Sequence, residues 1–217
     1  MVVYDPTRIK VGYSSLIPKS GETTSAIAKR AGAAAAINAG GFIDSKDTGW
    51  TGTGGIPDGY IIHNGEVIYD LYGDENMKMD TVSFTKDGML IVGRHSLAEL
   101  KQYGVVEGVA FGPPLIINGR PTIPEGSDGG WGYAPRTVIG QRANGEVIMM
   151  VIDGRSLSSL GVTLKDCQDI LLELGVVNAS NLDGGSSSTM YYNGKVINRP
   201  SDALGERAVP SVFLVMP

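Results

Sequence analysis

Tyr60-Ile61-Ile62-His63-Asn64-Gly65-Glu66-Val67-Ile68-Tyr69 reads as two apolar runs folded back on each other about an Asn-Gly pair. A two-residue turn of this kind needs positive φ at its centre, which asparagine and glycine tolerate, and its twist matches that of the flanking strands. The device recurs. Asp87-Gly88 lies between Thr81-Val82-Ser83-Phe84 and Met89-Leu90-Ile91-Val92, and Asn118-Gly119, Asn144-Gly145 and Asn193-Gly194 follow later in the chain. Five such pairs make antiparallel pairing the dominant theme.

Helices are few and short. Thr24 to Ala31 reads as one, with Gly32 as its stop. Ser96-Leu97-Ala98-Glu99 is a capping box that opens a second, ending at Gly104. A third runs from Thr163 to Leu174, with Leu164, Cys167, Leu171 and Leu174 on one face and Gly175 as its stop. Each helix is followed by a short apolar run and then a glycine turn: Gly40-Gly41, Gly112-Pro113 and Gly184-Gly185. A hairpin signal comes after each turn, so the order suggests a degenerate internal repeat of helix, strand, Gly-rich turn and hairpin. Such a repeat would bring the three glycine turns to related sheet edges. Val2 to Tyr13 reads as a strand interrupted at Pro6, and Ile43 to Gly59 as a polar functional loop. The expected fold is α+β: twisted mixed or antiparallel sheets with a few short flanking helices, in one domain spanning residues 1–217.

Composition agrees with that picture. The chain has 217 residues, 42% of them hydrophobic, enough apolar material for a core. Its 31 glycines suit tight turns better than long helices. The net charge of −5, with no basic run interleaved with aromatics, argues against a nucleic-acid partner. No apolar stretch is long enough to span a bilayer. The single Cys167 excludes an internal disulfide and falls on the apolar face of the third helix, where it reads as a buried small hydrophobe. Oligomeric state is not legible.

The chemistry concentrates in Asn181-Leu182-Asp183-Gly184-Gly185-Ser186-Ser187-Ser188-Thr189. Glycine pairs let backbone approach a ligand, and successive N–H groups in such a turn can form an anion nest to which hydroxyls add donors. A carboxylate beside such a nest suits a substrate that develops positive charge at one atom while expelling phosphate. Three further segments put charge where an apolar strand begins or ends: Ala134-Pro135-Arg136-Thr137, Asp153-Gly154-Arg155 and Gly205-Glu206-Arg207. Arginine forks match phosphate or carboxylate oxygens. Asn38, in Ile37-Asn38-Ala39-Gly40-Gly41-Phe42, could bond a sugar hydroxyl or hold a carboxylate. Ser186, Ser187 and Ser188 lack a G-x-S-x-G setting, and His63 and His95 sit near turns without a partnering signature, which argues against a Ser–His–Asp hydrolase. Asp44, Asp47 and Asp58 lack EF-hand spacing; a looser oxygen site for a divalent cation such as calcium stays open.

These segments, in this order, resemble the phosphodiester glycosidase family, which includes N-acetylglucosamine-1-phosphodiester α-N-acetylglucosaminidase. The likeness extends from about Gly21 to Val215 and includes Arg207-Ala208-Val209-Pro210-Ser211. Ala39 stands where many relatives would have glycine, and Gly184-Gly185-Ser186 has one glycine fewer than a Gly-Gly-Gly-Ser form. The resemblance implies hydrolysis of the bond from a sugar anomeric carbon to a phosphodiester. It casts Asp183, then Asp153, as the carboxylate, with Arg136 in the catalytic set. Donors for the phosphate would come from Arg136, Arg155 or Arg207 and the N–H groups at Gly184 and Gly185. Asn38, Gly40, Gly41, Ser186 and Glu206 complete the substrate-binding set, and no protein-bound metal or other cofactor is implied. The partner would be a sugar-phosphate or phosphodiester-linked glycan, and the full-length protein would lie outside the cell or at its surface, its signal or anchor beyond this chain. Two other readings stay open: a non-catalytic module that binds phosphorylated polysaccharide, and a glycan-processing enzyme of different chemistry.

Overall fold

The computed structural model describes residues 1–43, 52–157 and 159–217, and all five hairpin signals close hairpins in it. At Asn64-Gly65, Asn118-Gly119 and Asn193-Gly194 both residues have positive φ, as a tight two-residue turn requires. Asp87-Gly88 and Asn144-Gly145 solve the same problem differently. Only the glycine is left-handed, and its N–H donates to the carbonyl three residues back, Thr85 (2.9 Å) and Arg142 (3.0 Å). The three helices also form where the sequence puts them, at Thr24–Ala31, Leu97–Gln102 and Leu164–Glu173. Capping boxes at Ser96/Glu99 and Thr163/Asp166 start the second and third. Leu174 caps the third helix and is exposed rather than continuing its buried face.

Three sheets carry the fold, and every strand pairing among the described residues is antiparallel. Their strand orders follow one plan. The strand after each helix (Ala35–Asn38, Val105–Ala110, Val176–Asn181) lies inside its own sheet, between two strand pairs. On one side sits the hairpin that follows the previous unit's glycine turn. Thus Tyr60–His63/Glu66–Asp70 flanks Val105–Ala110, and Pro114–Ile117/Arg120–Pro121 flanks Val176–Asn181. Met190–Tyr192/Lys195–Val196 closes the cycle beside Ala35–Asn38. On the other side sits a second pair: Met79–Thr85/Leu90–His95, Arg136–Arg142/Val147–Ile152, and Ser211–Val215 with Ile9–Tyr13. The repeat suggested by the glycine turns is therefore written into the strand order. Val2–Val3 adds an edge to the six-stranded sheet, and the 3₁₀ turn Pro6–Arg8 accounts for the interruption at Pro6.

Alternation along each strand divides its side chains between two cores, as period-two geometry dictates. Ala35, Ile37, Phe84, Val109, Ile139, Met149 and Phe213 point into a central core shared by all three sheets. Ala36 and Leu214 pack outward against the first helix, Tyr60 and Ile62 against the second, and Val138 and Ala179 against the third. Each sheet is thus sandwiched between the common core and one helix. Cys167 is buried in the third helix's core, where desolvation pushes its thiol up to about 12. No helix among the described residues is long and apolar enough to cross a membrane.

Candidate functional site

The three glycine turns meet. Asn181 donates from its backbone N–H to Pro113 O (3.1 Å) and from Nδ2 to Gly112 O (3.0 Å). Asp183 N–H donates to Ala39 O (2.9 Å), which ties the third turn to the first. Asn38 Nδ2 donates to Asp183 O, while Asn38 Oδ1 accepts from Thr137 Oγ1 (2.8 Å) and Thr189 N–H (3.0 Å). Asn38 is wholly buried, so it does not bond a sugar or a carboxylate as its sequence context allowed. It clamps the backbone at both ends of the Asp183–Thr189 turn. Gly40 is likewise buried, its N–H donating to Ser211 Oγ (3.0 Å).

A polar hollow of about 320 Å³ opens above this junction, lined by Gly41, Phe42, Asp58, Phe111, Arg155, Asp183, Gly184, Gly185, Ser186, Ser187 and Arg207. Its charged groups are two carboxylates and two guanidiniums. Gly185 (φ 60°) is required twice over: its conformation disfavours a side chain, and a Cβ would stand 3.2 Å from both Arg155 Nη atoms. Arg155 itself has φ 54°, an uncommon conformation for a residue with a side chain. Arg207 lies 4.7 Å above the Phe42 ring, and its Nη1 donates to Ser186 Oγ (3.1 Å). Gly185 N–H does not serve an anion; it donates to Pro135 O (2.9 Å). The side-chain donors that line this hollow are two guanidiniums and the serine hydroxyls of Ser186 and Ser187.

Three charged residues expected in the site stand behind its walls instead. Arg136 is buried, with Nε and Nη2 donating to the carbonyls of Val162 (3.2 Å), Trp131 (3.2 Å) and Gly132 (2.6 Å). Burial, aided by the charge of Arg155, lowers its pKa. It braces the floor beneath Gly184. Asp153 turns to Asn198 Nδ2 (2.9 Å) and Arg199 N–H (3.1 Å), and Asn198 in turn donates to Ser188 O (3.0 Å) and accepts from Met190 N–H (2.8 Å). Asp153 thus anchors the far end of the serine-rich turn. Glu206 caps the first helix, accepting from the N–H (2.9 Å) and hydroxyl of Ser25, where the helix dipole favours an anion. In each case the residue type was right for a charged site, but tertiary partners claimed the side chain.

Asp58, Phe42 and Phe111 line the hollow without having been expected there. Both phenylalanines adjoin the glycine turns, a signal the sequence offered. The sequence groups Asp58 with Asp44 and Asp47, which lie outside the described residues. His63 bonds Glu107 Oε2 (3.0 Å) and His95 meets Tyr103 edge-to-face; neither lines the hollow.

Comparison with known proteins identifies the family. The family model described as phosphodiester glycosidase matches residues 31–216. The chain is 33% identical over 201 residues to the SPbeta prophage-derived uncharacterized protein YomE of Bacillus subtilis, covering 89% of this chain and 29% of that protein. It is 40% identical over 67 residues to human N-acetylglucosamine-1-phosphodiester α-N-acetylglucosaminidase, covering 31% of this chain and 13% of the enzyme. The chain therefore spans less than a third of the length of either relative. Its fold matches the solved catalytic domain of the zebrafish enzyme of that name, auto-inhibited by its pro-peptide (TM-score 0.82, 24% identity, covering 100% of this chain and 75% of that one). A hypothetical protein from Synechocystis is also similar in fold (TM-score 0.63, 18% identity, covering 97% of this chain and 58% of that one). The chain belongs to the phosphodiester glycosidase family.

Proposed function

We propose that this member of the phosphodiester glycosidase family hydrolyses the bond between a sugar's anomeric carbon and a phosphodiester, on a cell-surface or secreted glycan. One observation carries the reading: Asp183, Arg155 and Arg207 line a single polar hollow. Cleavage of such a bond gives an oxocarbenium-like centre and a phosphate monoester. Arg155 and Arg207 hold the phosphate oxygens, with Ser186 Oγ as a further donor, and their attraction grows as the leaving group takes up charge. Phosphate departs as a weak base and needs little acid assistance. Asp183 faces the sugar and stabilises its developing positive charge. The backbone clamp at Asn38 keeps the carboxylate and the guanidiniums in register.

Release of free sugar from UDP-N-acetylglucosamine or a synthetic sugar-1-phosphodiester tests this. Asp183→Asn is expected to lower kcat by roughly a thousand-fold while the circular dichroism spectrum is unchanged. Binding of the diester without turnover in wild type would make the chain a binding module. Cleavage of a p-nitrophenyl glycoside alone would make it an ordinary glycosidase. We assign the full-length protein to the cell exterior or surface; fractionation that finds it confined to the cytosol would refute that assignment.

A further inference from the structure

Asp58 lines the polar hollow opposite no assigned task, the second of its two carboxylates among the described residues. Its backbone is fixed from both sides. Asp58 N–H donates to Gly41 O (3.0 Å), and Phe42 bridges Pro57. Gly59, at φ 103°, packs so closely that a Cβ would stand 2.4 Å from the Cβ of Ala110. The hydroxyl of Tyr72 donates to Asp58 Oδ1 across a long 3.4 Å, which casts the carboxylate as an acceptor. The negative charge of Asp58 is in turn the main cause raising the Tyr72 hydroxyl above its ordinary pKa.

Asp58 also borders a second, wider cleft of about 700 Å³, and shares with Phe111 the ridge between cleft and hollow. Water reaches the carboxylate from the cleft without crossing the ground held by Arg155 and Arg207. Asp58 and Asp183 are thus two carboxylates on one hollow, with the wider cleft open to solvent on the Asp58 side.

We propose that Asp58 is the general base that activates this water for direct displacement at the anomeric carbon. The inference rests on the glycosidase reading of the same hollow. In the step, Asp58 takes a proton from water as the water oxygen bonds to the anomeric carbon. The bond from that carbon to the phosphate oxygen breaks, its electron pair leaving with the phosphate monoester. Asp183 stabilises positive charge at the carbon and forms no bond to it.

Steady-state kinetics on a sugar-1-phosphodiester, with NMR of the first-formed anomer, provides the test. Asp58→Asn is expected to lower kcat about a hundred-fold with KM changed little. Sodium azide, which attacks without needing a base, should restore turnover and yield a glycosyl azide, more so in Asp58→Ala, where the shorter side chain leaves space. Wild type should release sugar of inverted configuration. Retention of configuration, Asp58→Asn activity within two-fold of wild type, or absence of azide rescue in both variants would overturn the proposal while leaving the glycosidase reading intact. Failure of wild type to release any sugar would overturn both.

Discussion

Asp153 shows why a residue's type can be legible when its task is not. Its place at the end of a strand, before Gly154-Arg155, marked it as a candidate carboxylate for the site. Side-chain direction was decided by Asn198, a residue far along the chain with no local signature, which joins Asp153 to Ser188 and Met190. The same holds for Glu206, claimed by Ser25, and for Arg136, claimed by three carbonyls. Asp183, Arg155 and Arg207 do line one hollow, the first two beside glycine turns and Arg207 over the Phe42 ring. Asp153→Ala is therefore expected to cost activity without any contact to substrate: loosening the serine turn should lower kcat roughly ten- to a hundred-fold. Asn198→Ala should lower it similarly, and the double variant should be no worse than either single one. Additive losses in that cycle would show that Asp153 acts separately from the turn.

Local chemistry fixed the elements more reliably than it fixed side-chain partners. Asn-Gly turns and capping boxes depend on residues a few positions apart, so hairpins and helix starts could be read directly. Which sheet a hairpin joins depends on contacts across the whole chain, and Tyr60–Asp70 pairing beside Val105–Ala110 had no local sign. The third helix allows a direct check. Thr163 Oγ1 accepts from Asp166 N–H (3.1 Å), and Asp166 Oδ2 accepts from Thr163 N–H (2.8 Å). Thr163→Ala is expected to destabilise the protein by about 1 kcal/mol, read as a lower urea midpoint at constant m-value. The Thr163 N–H, with its hydroxyl, holds the Asp166 carboxyl below the ordinary carboxylate range. Its folded pKa is depressed, so the carboxylate's contribution is present above the unfolded value of about 3.9 and is lost as pH falls through the folded one. The penalty of Thr163→Ala should accordingly shrink in acid, and a penalty that does not change with pH would discount the carboxylate's part.

At the scale of the molecule, the three units share one core and end at one place. Phe84 and Phe213, from different sheets, meet edge-to-face at its centre with ring centroids 5.8 Å apart. Since each unit's strand runs from its helix to its glycine turn, packing three of them around that core brings the turns together. The repeat was visible in the sequence only as spacing; the residues that fill it differ from unit to unit. The cyclic exchange of hairpins between sheets could not be read from spacing at all. The site is thus a consequence of the architecture, and its proposed chemistry, attack at the sugar carbon with phosphate as leaving group, can be followed atom by atom. Hydrolysis of a sugar-1-phosphodiester in ¹⁸O-labelled water, with mass spectrometry of both products, is the most direct measurement. The label should appear at the anomeric hydroxyl of the sugar and not in the phosphate monoester; label in the phosphate would mean the phosphorus–oxygen bond had broken, and would contradict the account.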